Sequence, residues 1–228
     1  MNKRIITLGD STMQFNNFLK FPQTGWPQAL ERFVRPDVEI LNFAVNGKST
    51  KNFISLQLFD KALNNIRESD LVLIEFGHND VKKEDLTRYT EPFGEYQQNL
   101  KYMVECCKRK GADVILLTSI VERYFDENGI IKDSLHLEYT KAMKALAEQM
   151  SIPCIDMYGL TKKRVGEEGE ENSKRFYMNF PPGLYDSYPN GLEDNTHLRY
   201  EGAFMVAKCF YEEIINLGLY TDLFILRD

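Results

Sequence analysis

The chain runs to 228 residues with a formal net charge of −6, and its 43% hydrophobic and 27% charged residues suffice for a packed core. The negative balance argues against a general nucleic-acid binder, because the average surface repels a phosphate backbone. No apolar stretch approaches the roughly 20 residues that span a bilayer, so no membrane partner is expected either.

No shift in composition divides the chain, which predicts a single domain over residues 1–228. Lys3 and Arg4 precede only a brief apolar run before Gly9-Asp10. That run is too short for the core of a signal peptide, and the expected location is cytoplasmic. Cys106, Cys107, Cys154 and Cys209 lack Cys-x-x-Cys spacing and read as reduced structural residues.

In chain order, short apolar runs at 5–8, 38–45, 71–76 and 114–117 read as strands buried on both faces. A fifth run, 152–157, carries Pro153 near its start, where a missing N–H is tolerated. Leu100, Met103, Val104 and Cys107 mark one helical stripe. Tyr139, Met143, Leu146, Ala147 and Met150 mark another, with Asp133-Ser134 as candidate N-caps. A last helix carries Ala203, Val206, Ala207, Phe210 and Ile214 and stops at Gly218. Alternating strands and helices predict an α/β fold with a parallel sheet covered on both faces.

The 166–195 segment breaks this rhythm with four Gly, three Pro and the aromatics Phe176, Tyr177, Phe180, Tyr185 and Tyr188. It reads as a long functional loop, and the acidic run at 167–171 inside it as solvated surface.

The chemistry concentrates where strands end. Gly9-Asp10-Ser11-Thr12 follows the first strand directly, which puts Ser11 at a carboxyl end, where open α/β sheets hold their ligands. By itself the tetrapeptide also describes an ordinary turn and helix cap. Asp194-Asn195-Thr196-His197 sets a carboxylate three residues before one of three histidines, so that Asp194 could hold the His197 tautomer while the other ring nitrogen takes the serine proton. The second strand runs into Asn46-Gly47-Lys48-Ser49 and the third into Gly77-His78-Asn79-Asp80. The Asn79 amide and the N–H groups of Ser11 and Gly47 could there donate to a developing oxyanion, although Asn79 also suits an Asx turn.

Ser11, Gly47, Asn79 and His197 stand in the order of the four blocks of the SGNH hydrolases, which the chain resembles. It is most similar to the rhamnogalacturonan acetylesterases, which share the Gly-Asp-Ser-Thr, Gly-His-Asn-Asp and Asp-Asn-Thr-His blocks. The similarity extends to Thr24-Gly25-Trp26, Arg123-Tyr124-Phe125-Asp126 and Gly202-Ala203. The resemblance implies a three-layer α/β/α sandwich of flavodoxin-like type, with a mainly parallel five-stranded sheet. It also implies a serine esterase that removes O-acetyl groups from pectic oligosaccharides through an acetyl-enzyme, without a cofactor. Asp10 would support the serine turn and His78 would help position the site, while His136 matches no block and reads as structural. Two departures, Asn46-Gly47-Lys48-Ser49 for Gly-Gly-Arg-Ser and Leu198-Arg199-Tyr200-Glu201 for a Phe-Ser-Pro stretch, bear on the substrate.

A net negative protein that holds an acidic sugar needs local cations, and Lys48 and Arg199 are the candidates by their places beside Gly47 and His197. Gly47-Lys48-Ser49 resembles the end of a phosphate-binding loop, but Asn42 stands where that loop requires glycine. Three scattered histidines without paired cysteines give no basis for a metal site. A carbohydrate-binding module would account for the aromatic segment but not for the strand-end residues. A lysophospholipase or thioesterase of the same fold is the alternative enzyme. The oligomeric state is not legible.

Overall fold

The computed structural model describes residues 3–134 and 136–225. Its elements follow in the order β1 (Lys3–Gly9), α1 (Trp26–Leu30), β2 (Val38–Asn42), α2 (Thr50–Ser55), α3 (Leu58–Leu63), β3 (Leu71–Glu75) and α4 (Gln97–Arg109). There follow β4 (Asp113–Leu117), α5 (His136–Met150), β5 (Cys154–Ile155), α6 (Met157–Ser173), β6 (Tyr177–Phe180), β7 (Leu192–Leu198) and α7 (Tyr200–Asn216). Five strands form one sheet in the order β2-β1-β3-β4-β5, and every neighbouring pair is parallel.

Side chains alternate across a strand, so each apolar run supplies both faces of the sheet. Ile5, Leu71, Leu73, Ile115 and Leu117 pack on one side with Trp26 and Leu30 of α1, Met157 and Val165 of α6, and Ala203, Val206 and Phe210 of α7. Ile6, Leu8, Val72, Ile74, Val114 and Leu116 pack on the other with Phe53 of α2, Phe59 of α3, Leu100 and Met103 of α4, and Met143 and Leu146 of α5. The predicted stripes are thus the faces turned to the sheet. Gly218 adopts a left-handed φ of 65° just past the end of α7, as a helix-terminating glycine does.

Two expectations are corrected. The second run is not buried on both faces: β2 is an edge strand that ends at Asn42, and its residues are half-buried or exposed. The 166–195 segment is not one long loop either. Its residues 166–173 belong to α6, which breaks at Gly169, and β6 then pairs antiparallel with β7 as a small separate ribbon. Phe180 packs edge-on against Tyr185 and Tyr188, at centroid distances of 4.7 and 5.7 Å, so these aromatics close on one another beside the ribbon.

The strand order reverses around β1 and β3, where connections leave toward opposite sides of the sheet and open a crevice at the carboxyl ends. The loops that carry chemistry meet there.

Candidate active site

After β1 the chain turns sharply at Asp10, whose carbonyl accepts the N–H groups of Met13 and Gln14 at 3.3 and 3.0 Å. Asp10 Oδ1 also accepts the Thr12 N–H at 3.0 Å, a side-chain-closed turn that presents Ser11 to the crevice. His197, on β7, reaches Ser11 Oγ with Nε2 at 2.9 Å and Asp194 Oδ2 with Nδ1 at 2.7 Å. A carboxylate only accepts, so Nδ1 carries the proton, and Nε2 is left to accept from the serine hydroxyl. Asp194 Oδ1 takes the N–H groups of Thr196 and His197 at 2.8 and 2.9 Å. Burial pushes the Asp194 carboxyl up, but the hydrogen bonds and charge of His197 outweigh it and hold the group below the usual carboxylate range.

Arg123 fixes β7 from behind. Its N–H donates to Asn195 O and its Nη1 to Asn195 Oδ1, both at 2.8 Å, and its Nε donates to Ser173 Oγ at 3.0 Å. The Arg123-Tyr124-Phe125-Asp126 stretch noted in the sequence therefore contains the anchor of the His197 strand.

Beneath the serine turn lies a buried charge network that sequence reading only half found. His78 Nε2 donates to Ile120 O at 3.1 Å while Nδ1 faces Asp10 Oδ2 at 3.5 Å. Burial disfavours the imidazolium, yet the Asp10 carboxylate overcomes this and raises His78 to about 9. Asp10 is held below its ordinary value against its own burial, chiefly by the charge of His78.

Glu75, at the end of β3, completes the network. Trp26 Nε1 donates to Glu75 Oε2 at 3.0 Å, and Thr12 Oγ1 sits 2.6 Å from Glu75 Oε1 and 3.0 Å from Asp10 Oδ1. One hydroxyl hydrogen cannot serve two carboxylates, so one acid must hold a proton. Burial and the Asp10 charge raise Glu75 to about 8, which identifies Glu75 as the protonated member. A lone acid inside the apolar run 71–76 was the sequence signal for this residue.

The other predicted donors line the same crevice of about 660 Å³, which is bordered by Ser11, Gly47, Asn79 and His197. Gly47 holds a φ of +72°, a conformation that side chains strain to adopt. Among the described residues, no group of the protein accepts the backbone N–H of Ser11 or of Gly47. Asn79 is oriented by Arg88, whose Nη1 donates to Asn79 Oδ1 at 3.2 Å, leaving Nδ2 directed to Lys48 O at 3.2 Å and Asp10 Oδ2 at 3.5 Å. Asp80 staples this region by accepting the Thr50 N–H and hydroxyl and the Thr90 hydroxyl.

Neither predicted cation borders the crevice. Lys48 contributes its carbonyl to Asn79. Arg199 leaves the strand alternation because the chain quits β7 at Leu198 and begins α7, with Arg199 as its N-cap. Its guanidinium lies over the Phe180 ring and donates to Tyr185 Oη at 3.3 Å and Lys174 O at 3.4 Å. The cations that do border the crevice are Lys82 and Arg88, which sequence reading passed over. His136 packs its ring against His78 at 4.6 Å and hydrogen-bonds Ser134 Oγ through Nδ1, and burial together with the His78 charge pushes it far down, to about 2.

Residues 7–202 match the GDSL-like Lipase/Acylhydrolase family. The chain is 38% identical to rhamnogalacturonan acetylesterase RhgT of Bacillus subtilis (strain 168), over 95% of this chain and 91% of that protein. It is 31% identical to the probable rhamnogalacturonan acetylesterase YesY of the same organism, over 96% of this chain and 95% of that protein. In three dimensions it is similar to the crystal structure of protein YxiM from Bacillus subtilis, with a TM-score of 0.79 and 25% identity. That match covers 96% of this chain and 58% of the other.

Proposed function

Because the chain belongs to the GDSL-like lipase/acylhydrolase family and is a carboxylic ester hydrolase, we propose that it removes O-acetyl groups from acetylated pectic oligosaccharides of the rhamnogalacturonan type. The reading is carried by the unbroken line from Asp194 through His197 to Ser11, at 2.7 and 2.9 Å, at the head of the sheet. Its substrate class rests on the two relatives named for rhamnogalacturonan deacetylation.

In this reading Ser11 Oγ attacks the acetyl carbonyl while His197 Nε2 takes its proton, and Asp194 stabilises the imidazolium. The oxyanion is met by the N–H groups of Ser11 and Gly47 and by Asn79 Nδ2, which gives up its long 3.5 Å contact with Asp10 to do so, each such donor contributing about 3 kcal/mol in well-studied acyl transfer. His197 returns its proton to the departing sugar hydroxyl, then takes one from water. That water attacks the acetyl-enzyme, releasing acetate and restoring the Ser11 hydroxyl. Asp10 and His78 hold the serine turn from below.

The crevice is lined almost throughout by polar side chains, with Tyr124 and Leu192 as exceptions, which suits a sugar and a short acyl group better than a fatty chain. Among the described residues no helix is long and apolar enough to cross a membrane. Four free cysteines accord with a reducing cytoplasm, where the enzyme would act as one domain on short imported oligosaccharides.

The test combines an acyl-length series with a serine-directed phosphonate. Acetate esters should exceed octanoate esters in kcat/KM, acetylated rhamnogalacturonan oligomers should release acetate, and the phosphonate should modify Ser11. A preference for octanoate would move the assignment to a lysophospholipase or thioesterase. Labelling of a different residue would remove Ser11 from its role.

A further inference from the structure

We infer that Lys82, seconded by Arg88, selects substrates that carry a free carboxylate on the same sugar ring as the acetyl ester. The inference rests on the acetylesterase reading above and adds to it the charge of the sugar and the residues that read it.

Both side chains border the crevice that holds Ser11 and His197, and both come from the loop after β3, which also supplies Asn79. Lys82 is half-buried there, and no carboxylate forms an ion pair with its ammonium among the described residues. An ammonium partly withdrawn from water without a counter-ion is poorly solvated and gains from an anion supplied by a ligand. Arg88 is partly committed: Nε donates to Asp85 Oδ2 at 2.7 Å and one Nη1 hydrogen to Asn79 Oδ1 at 3.2 Å. A guanidinium has five N–H groups, so three remain.

The crevice also carries acidic groups. It presents Glu122, Glu193 and Asp194. Asp194 is occupied by His197, and Glu122 accepts the Thr196 hydroxyl at 2.7 Å. A substrate carboxylate is repelled by these groups and drawn to the Lys82 ammonium, so the charges orient an acidic ring as well as binding it. With the whole chain at −6, attraction for an anion has to be local, and Lys82 is the unneutralised source inside the crevice. An aldohexuronate such as galacturonate fits: its carboxylate stands across the pyranose ring from the secondary hydroxyls that carry acetyl groups.

The test uses acetylated galacturonate-containing oligomers with free carboxylates and the same oligomers after methyl esterification, compared by the ratio of their kcat/KM values. The wild-type enzyme should favour the free acid, and the preference should shrink as salt rises. Lys82→Gln should lower the ratio about two- to fivefold, mainly through KM of the free acid, the size of a partly screened ion pair. Lys82→Glu should lower it further, and Lys82→Arg should retain it. A Lys82→Gln protein of normal melting temperature with an undiminished ratio would overturn the inference. If Lys82→Gln melts early, Lys82→Arg decides: a folded, charge-retaining variant that has lost the ratio also overturns it. A wild-type enzyme that deacetylates both oligomers equally refutes carboxylate selection and leaves the acetylesterase reading standing. A wild-type enzyme that cleaves aryl acetates but neither oligomer removes the substrate reading, and the inference falls with it.

Discussion

His78 Nδ1 faces Asp10 Oδ2 at 3.5 Å, with both side chains withdrawn from solvent directly below the turn that presents Ser11. The pair sets a pH dependence with a definite sign. Below about pH 6.5 folded and unfolded chains both hold an imidazolium, and the stabilisation is fully present. As pH rises toward about 9 the folded state keeps a proton that the unfolded state has lost, so stability falls and the contribution is gone once His78 discharges. Urea midpoints should therefore decline between pH 6.5 and 9, and His78→Gln should flatten part of that decline. A wild-type midpoint constant across this window would mean that the folded imidazole is neutral.

Glu75 adds a second slope of the same sign. Its folded carboxyl stays protonated up to about pH 8, while the unfolded chain ionises it in the ordinary carboxylate range, so folding loses stability between those limits. Gln can donate to Thr12 and accept from Trp26 as the protonated acid does. Glu75→Gln should match wild type near pH 4 and exceed it in melting temperature at pH 8. Glu75→Ala, which strands both partners, should lose about 1–3 kcal/mol at every pH. If Glu75→Gln instead destabilises equally at both pH values, Asp10 and not Glu75 holds the shared proton.

Asn79→Ala tests the oxyanion role against the turn role. The amide is held by Arg88 and faces the crevice, so its loss should lower kcat by about a hundredfold or more with little change in KM. Steady-state kinetics beside a thermal melt separate the roles, because loss of a turn residue would lower stability along with activity.

Arg199→Ala should act on folding. The guanidinium covers Phe180 and bonds Tyr185 and Lys174, so truncation should cost about 1–2 kcal/mol in denaturant unfolding. The preference for free-carboxylate over methyl-esterified oligomers should not shift with it. A selective rise in KM for the acidic oligomer would return Arg199 to the substrate.

The five apolar runs and the stripes of α4, α5 and α7 were legible because burial imposes a local period of two or 3.6 residues on the sequence. The blocks that carry Ser11, Gly47, Asn79 and His197 were legible because each is short and contiguous in sequence, and the fold brings all four to one crevice. The β6–β7 ribbon was not, since Gly and Pro hid two short strands in a segment whose pairing is set by contacts distant in sequence. The Glu75–Thr12–Asp10–His78 network joins the ends of two strands, β1 and β3, and only the parallel register that sets Gly9 beside Glu75 brings those groups within one proton of each other. The cations were decided last of all. Lys48 and Arg199 adjoin site residues in the chain, but a turn or a helix cap beside a site residue aims the next side chain elsewhere, and the fold gave the crevice to Lys82 and Arg88. Sequence alone determined which residues can do the chemistry, because that depends on functional groups; which charges face the substrate depends on direction, and direction belongs to the tertiary structure.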